Sequence, residues 1–451
     1  MKALTRDLGR LLAAGLLPAA LAVPALLPGT SAASPAPLPN PDRPAVTPVA
    51  TPAAPAASRS VASSCTAMRR QAGKGNSAPS LVVLELGSGE TACALNPGRA
   101  RSLASNTKIL TTAAVLGRLG PSYTVQTRLF TDGTIDSEGT LEGSLYLKGG
   151  GDPALGTGPF LENYLGGAGT DIDSLALQAR KAGLKRVTGR VYGDESIFDS
   201  LRGVADSGYS TSPWIGPLSG LSINAGFTGA GLSEFSSSPA RLAARTLAKR
   251  LRKRGVSVTD QVALARTPNL ALRSRPLAVE ESEDMAWMAD VTNLNSNNFF
   301  AEMLVKLLGA TKGNGGSTKS GTRVVREFAA SLGASVDPVD GSGLTVTNRA
   351  SAEAIARLLV NARDRDWWSS LYRSLPIAGR EGTVAFRMRG TAAEGRCRTK
   401  TGTLTGVSAL SGYCFNRSGR RFAFSILMNG VSDTYDARAA QDRIAALVAG
   451  L

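Results

Sequence analysis

The chain has 451 residues, 43% of them hydrophobic, with 51 lysines and arginines against 35 aspartates and glutamates and no histidine. Ser-His-Asp relays, His-x-x-x-His zinc sites and Cys-His thiol chemistry are therefore excluded, because each needs an imidazole. The length is enough for two or three domains with buried cores.

Residues 1–33 have a basic start (Lys2, Arg6, Arg10), an apolar run from Leu11 to Leu27 and a small-residue exit at Ser31-Ala32-Ala33. These are the parts of a secretory signal cleaved after about Ala33, and Pro18, Pro24 and Pro28 speak against an uncleaved membrane anchor. The Pro/Ala/Ser tract 34–64 cannot bury a core and predicts a semi-extended linker. An exported, periplasmic or cell-wall location follows as an expectation. There the formal charge of +16 favours peripheral contact with anionic wall polymers or lipid head groups, not nucleic acid. Cys65, Cys93, Cys397 and Cys414 form no Cys-x-x-Cys. Export permits two local disulfides, Cys65 with Cys93 and Cys397 with Cys414, and free buried thiols fit the composition as well.

SLVVLEL (80–86), a GSGE turn and TACAL (91–95) predict a β-hairpin. A helix carrying Ser105 and Lys108 follows, with Ile109, Leu116 and Leu119 apolar and Gly120-Pro121 as its stop. Residues 125–285 are richer in glycine and turn punctuation. They read as inserted, mostly-β additional domains between two parts, 65–124 and 286–451, of one α/β domain. Inside the insertion, ARLAARTLAKRLRKRG, opened by Ser238-Pro239 and closed by Gly255, predicts a helix with a solvated basic face. RTKTGTLTGV, SALSGYCFN and RFAFSILMN predict three consecutive strands, and DARAAQDRIAALVAGL a final core-packing helix.

A serine and a lysine three places apart share one helical face about one turn apart, so the Ser105 hydroxyl and the Lys108 amine come within hydrogen-bond reach. Of the twelve lysines only Lys108 has a serine three places before it. An amine serves as base only when deprotonated, and bringing a lysine from about 10.4 to roughly 7 takes about 4 kcal/mol, which burial and a second cation can supply. A polar Ser-x-Asn and a Lys-Thr/Ser-Gly on a strand complete an acyl-transfer site of this kind. Both occur in that order, at Ser296-Asn297-Asn298 and Lys400-Thr401-Gly402. Ser222-Ile223-Asn224 and Lys319-Ser320-Gly321 also fit the patterns; the second leads into a helix, TRVVREFAASLG, and so cannot be a pocket-edge strand.

With these motifs the chain resembles the penicillin-binding protein 4 type of D-alanyl-D-alanine carboxypeptidase/endopeptidase, the class C low-molecular-mass group. The resemblance runs from about Ser80 to the C-terminus. It includes SLYLKGGGDPAL (144–155), VTGRVYGDESIFD (187–199), DGSGLT (340–345), SLPIAGREGTVAFRM (374–388) and TKTGTLTGVSALSGYC (399–414). The fold implied is a serine β-lactamase/transpeptidase-like α/β (α+β) domain, an antiparallel sheet flanked by helices, with additional domains between Ser105 and Ser296. By similarity, Ser105 is the nucleophile toward peptidoglycan stem peptides, Lys108 its base, and Ser296 a proton relay to the leaving amine. Asn298 positions the substrate amide. Lys400, assisted by Thr401 and Gly402 on the strand, holds the terminal carboxylate and helps depress the Lys108 pKa. The N–H groups of Ser105 and Thr403 form the oxyanion hole. No metal or organic cofactor is implied, and β-lactams are the covalent inhibitors expected. The proline usual in the family before the serine is replaced by Leu103-Ala104. Gly149, Gly150, Gly151, Asp152 and Asp340 read as turn-builders, and Glu381 as a turn carboxylate with a water-orienting role as its alternative. A β-lactamase, or an inactive wall-binding protein acting through its basic surface, are the other readings of the chain.

Overall fold

The computed structural model describes residues 60–229 and 232–451. The signal assigned to 1–33 and the linker as far as residue 59 lie outside the described residues. The end of that linker is corrected, because helix α1 spans Val61–Ala72, with Ser60 accepting from the Ser63 N–H as its N-cap. It is helical where proline is absent and where Cys65 and Met68 have a sheet to pack on. Strands β1 (Asn76–Glu85) and β2 (Thr91–Leu95) form the hairpin, pairing Leu81 with Leu95 and Val83 with Cys93. Helix α2 (Thr107–Leu119) is buried from Thr107 to Leu116 and runs through the middle of the molecule. Gly120 ends it at φ +96°, a conformation open to glycine.

The chain then leaves to build a second sheet from β3 (Gln126–Thr131), β4 (Leu145–Lys148), β5 (Val191–Asp194), β6 (Val262–Leu264) and β7 (Ala278–Glu281). Its order is β6-β5-β4-β3-β7, parallel across β6, β5 and β4 and antiparallel across β4, β3 and β7. Helices at Ile172–Lys181 and Pro239–Lys253 cover it, burying Leu175, Ala176, Leu247 and Leu251 against Leu129, Leu147 and Val191. This region thus carries more helix than the mostly-β composition expected for it. Parallel strands need crossover connections, and two of those crossovers contain the helices. The predicted basic helix is the second of them.

Helices α3 (Met285–Leu294), α4 (Asn298–Lys312), α5 (Thr318–Ser331) and α6 (Ala352–Ala362) follow. The last elements are strands β8 (Cys397–Leu404), β9 (Val407–Phe415) and β10 (Arg421–Val431) and helix α7 (Thr434–Val448). These three strands join the N-terminal hairpin in one antiparallel sheet of order β8-β9-β10-β1-β2. The two-residue period of β1 sends Val82 and Leu84 into the core with α2 and α4, and Leu81 and Val83 to the opposite face with α1 and α7. A sheet covered on both faces explains why β9 is buried from Val407 to Cys414 and β10 from Phe422 to Met428. Cys65 is bonded to Cys93 and Cys397 to Cys414, the latter pair directly opposite each other in the β8–β9 ladder. Among the described residues no helix is long and apolar enough to cross a membrane.

Candidate active site

Ser105 lies in a single 3-10 turn, Ala104–Asn106, immediately before α2, where the sequence placed it within the helix. The turn is forced by its neighbours. Ala104 sits at φ +45°, its carbonyl accepts from Thr107 Oγ1 at 2.9 Å, and Leu103 donates its N–H to Asn348 O at 3.3 Å. A proline at 103 would have no such hydrogen to give. The one-turn relation to Lys108 survives, with Lys108 Nζ 3.1 Å from Ser105 Oγ.

Lys108 is wholly buried, and its Nζ also donates to Asn298 Oδ1 at 2.7 Å and to Ser342 O at 2.6 Å. An amide oxygen and a backbone carbonyl can only accept. Of the three partners only Ser105 has a hydrogen to return, so a neutral amine with two hydrogens and one lone pair satisfies all three contacts. Burial pulls the Lys108 pKa down to about 7, against the upward pull of Asp340 and then Glu302. Those two carboxylates are themselves buried. Glu302 accepts from the N–H groups of Gly341 (3.0 Å) and Ser342 (2.7 Å), and Asp340 from those of Gly343 (2.7 Å) and Thr345 (2.6 Å). Their bonds hold the 340–345 loop so that Ser342 O faces Lys108. Burial and then the neighbouring Asp340 push Glu302 up to about 8, and burial likewise raises Asp340.

Ser296 and Asn298 reach the site from the loop between α3 and α4. Ser296 adopts φ +53°, and Asn297 caps α4 by accepting from the Phe300 N–H at 3.1 Å. The Asn298 amide is held at both ends: its oxygen on Lys108 and its nitrogen donating to Trp214 O at 3.1 Å. Trp214 belongs to the segment leading out of the second sheet, so that region furnishes one wall of the site.

Strand β8 closes the opposite side. Lys400 Nζ donates to Ser296 Oγ at 2.9 Å and to Thr401 O at 3.0 Å, and the amine has no solvent exposure. Burial first, and then the Lys108 charge, hold Lys400 well below an ordinary lysine. Repulsion between two ammonium groups is mutual, but burial dominates at Lys108. The part expected of Lys400 in lowering the Lys108 pKa is therefore secondary. A Cβ on Gly402 would stand 2.8 Å from Leu103 O and 3.0 Å from Ser105 N, so only glycine lets this strand lie against the Ser105 turn. Asn106 Nδ2 fastens the two by donating to Lys400 O at 3.0 Å. β8 is an edge strand. Its outer edge gives Cys397 O to the Ala378 N–H and takes Thr399 N–H to Pro376 O, both at 2.9 Å. The two-residue period then puts the N–H groups of Thr401 and Thr403 on that same free edge.

All eight residues singled out from the sequence, Ser105, Lys108, Ser296, Asn298, Lys400, Thr401, Gly402 and Thr403, thus meet at one place. The profile of the D-Ala-D-Ala carboxypeptidase 3 (S13) family matches residues 71–236 and 227–451. The chain belongs to this family. Among its relatives, the carboxypeptidase DacB of Mycolicibacterium smegmatis is 32% identical, over 76% of this chain and 74% of its own length. A D-alanyl-D-alanine carboxypeptidase of Actinomadura sp. strain R39 is 29% identical over 82% of this chain and 80% of its own. The crystal structure of penicillin-binding protein 4 (dacB) from Haemophilus influenzae superposes with a TM-score of 0.69, covering 85% of this chain and 97% of that one at 20% identity, a likeness of fold. The S13 chain is accordingly a serine-type carboxypeptidase, a hydrolase, on a penicillin-binding-protein fold.

Several residues of this S13 site escaped the sequence reading. Glu302 stands four places after Asn298, on the same face of α4, and that spacing was the available signal. Asn106, Trp214, Thr383, whose hydroxyl accepts from Thr401 Oγ1 at 2.8 Å, and Arg438, whose Nη2 donates to Thr403 Oγ1, gave none, because each arrives through a contact distant in sequence. Asp340, read as a turn-builder, does build the loop, and through it acts on Lys108. Gly149 and Gly150 run against the carbonyls of Gly220 and Gln126, where a Cβ would come within 2.1 and 2.4 Å. Asp152 is occupied by the Ala154 N–H at 2.8 Å and the Thr170 hydroxyl. Glu381 accepts from the Ile377 N–H at 3.0 Å and lies 3.6 Å from Arg398. The two decoy motifs stay apart from the site: Lys319-Ser320-Gly321 lies in α5, and Asn224 binds the Thr157 N–H at 2.9 Å beside the second sheet.

Proposed function

We propose that this carboxypeptidase, exported from the cell, hydrolyses the D-alanyl bond at the end of peptidoglycan stem peptides through an acyl-enzyme on Ser105. The observation that carries the proposal is the pair of amine–hydroxyl contacts, Lys108 to Ser105 at 3.1 Å and Lys400 to Ser296 at 2.9 Å, brought together at one site. Lys108, with its lone pair on Ser105, takes the hydroxyl proton as Oγ attacks the penultimate D-alanine carbonyl. The developing oxyanion is received by the N–H groups of Ser105 and Thr403, a contribution of about 2.7–4 kcal/mol per donor. Ser296, which accepts from Lys400, gives its own hydrogen to the departing amine and takes up the proton that Lys108 carries, so that both groups return to their starting states. Water then releases the acyl group, and Lys108 serves again as base.

The family and its relatives support a peptidoglycan substrate. A Haemophilus influenzae penicillin-binding protein 4 structure is complexed with a β-lactam, and that supports covalent capture of β-lactams here. Cross-linked peptides present the same D-alanyl carbonyl, and endopeptidase action on them follows by the same steps. The test is incubation with purified pentapeptide and cross-linked wall fragments, comparing wild type with Ser105→Ala. Release of D-alanine or of uncross-linked peptide by the wild type alone, with a penicilloyl adduct on the peptide containing residue 105, supports the proposal. An adduct on another residue, or activity retained by the variant, overturns it.

A further inference from the structure

A substrate ending in D-alanine brings a carboxylate to the free edge of β8, and the cation assigned to it by resemblance, Lys400, is not free to meet it. The Lys400 amine is wholly buried, with its hydrogens on Ser296 Oγ and Thr401 O. It acts on the cleft through Ser296. Whatever binds the carboxylate directly must be exposed on this edge.

The guanidinium of Arg438 qualifies. Arg438, in the first turn and a half of α7, is exposed, and its Nη2 donates to Thr403 Oγ1 at 3.2 Å. The nearby Asp442, one turn further along α7, is taken by Arg387, whose Nη2 and Nε lie 2.7 and 3.0 Å from Oδ1. No carboxylate among the described residues forms an ion pair with Arg438. Partial desolvation, and then the like charge of Arg387, press its pKa below that of an ordinary arginine against the weaker upward pull of Asp442. Thr401 and Thr403 project from the same face of β8 and are about 7 Å apart. One carboxylate bridges such a span with hydrogen bonds of about 2.7 Å at each oxygen. A planar guanidinium adjoining one of the two threonines offers the paired donors that a carboxylate prefers.

We infer that Arg438 is a specificity-determining residue of this peptidase, binding together with Thr401 and Thr403 the carboxylate α to the leaving amine, and so selecting acids over amides at the residue released. The inference rests on the acyl-transfer reading of the site. It applies to any leaving residue with a carboxylate on the carbon next to its amine.

The experiment compares two peptides ending in D-Ala-D-Ala, one with a free carboxylate and one with a terminal carboxamide, on wild type, Arg438→Ala and Arg438→Lys. Wild type is expected to prefer the acid. Arg438→Ala should lose about 10- to 100-fold in kcat/KM toward the acid, the range for a lost charge-assisted hydrogen bond, with the amide changed less than about threefold, so that the preference collapses. Arg438→Lys should restore part of it. An equal loss on both peptides assigns Arg438 a structural role only and overturns the inference, as does an unchanged acid-to-amide ratio. Thermal unfolding of the variants separates misfolding from lost selectivity. Failure of the acyl-transfer reading itself appears elsewhere, as wild-type protein that cleaves neither peptide and takes no penicillin on Ser105.

Discussion

The base assignment stands or falls on whether Lys108 loses its proton near neutrality. An ordinary lysine at 10.5 is neutral in about one molecule in 3,000 at pH 7, whereas one brought to about 7 is neutral in about half. The difference corresponds to about 5 kcal/mol between the two protonation states. It comes from a chamber in which every contact of Nζ is already made and the amine of the resting enzyme has no solvent exposure. Because the protonated form is the inactive one, the sign is fixed. Acylation by a chromogenic β-lactam, followed in single turnover, should rise about tenfold per pH unit below about 7 and flatten above it. Glu302, held up to about 8, and Asp340 ionise within the same chamber, so the limb is an apparent value of the group as a whole. Lys108→Arg supplies the control, since a guanidinium keeps its proton at any accessible pH. It should lower acylation by about a thousandfold or more with no recovery at high pH. A limb near 10, a flat profile, or a Lys108→Arg rate within tenfold of wild type would refute burial as the origin of the base.

Gly402→Ala should lower acylation about 100- to 1,000-fold, the value of one oxyanion donor, because a Cβ 2.8 Å from Leu103 O and 3.0 Å from Ser105 N forces β8 off the Ser105 turn. A fall under threefold, with β-lactam as probe, means that the strand gives way without disturbing the N–H groups. The pair between the buried Lys306 and the partly exposed Asp199 joins α4 to the segment that follows β5 of the second sheet, with Lys306 Nζ also donating to Leu201 O at 2.8 Å. Here the two truncations should differ. Asp199→Ala strands a wholly buried amine and should cost about 3–5 kcal/mol, while Lys306→Met leaves a carboxylate that water can reach and should cost less. Denaturant unfolding of both variants checks this, and the reverse order contradicts it. Replacing Cys397 and Cys414 by serine opens a loop of 17 residues and should cost about 3 kcal/mol on the chain-entropy account. An unchanged denaturation midpoint would show that the β8–β9 ladder holds without the bond.

The three strands after residue 396, the hairpin at 80–95 and the helix behind Ser105 were legible because each carries its own periodicity between strong turn residues. The pairing of the four cysteines was legible only as one of two options, since spacing along a chain does not fix distance in space. The insertion was legible as an interruption but not in kind. Short parallel strands such as Val191–Asp194 leave little local trace, and their crossover helices are amphipathic only with respect to a sheet assembled from distant segments.

The sequence by itself determined the chemistry available to this protein: without histidine, a serine needs an amine as its base, and one serine precedes one lysine at helical spacing, with the Ser-x-Asn and Lys-Thr-Gly motifs in order behind it. Tertiary structure alone decided the charges. Whether Lys108 is a base or a surface cation depends on desolvation and on Glu302 and Asp340. Whether Lys400 or Arg438 faces a substrate depends on which cation the fold has covered. Both are sums over neighbours brought together from far along the chain, and a linear order of residues does not contain such sums.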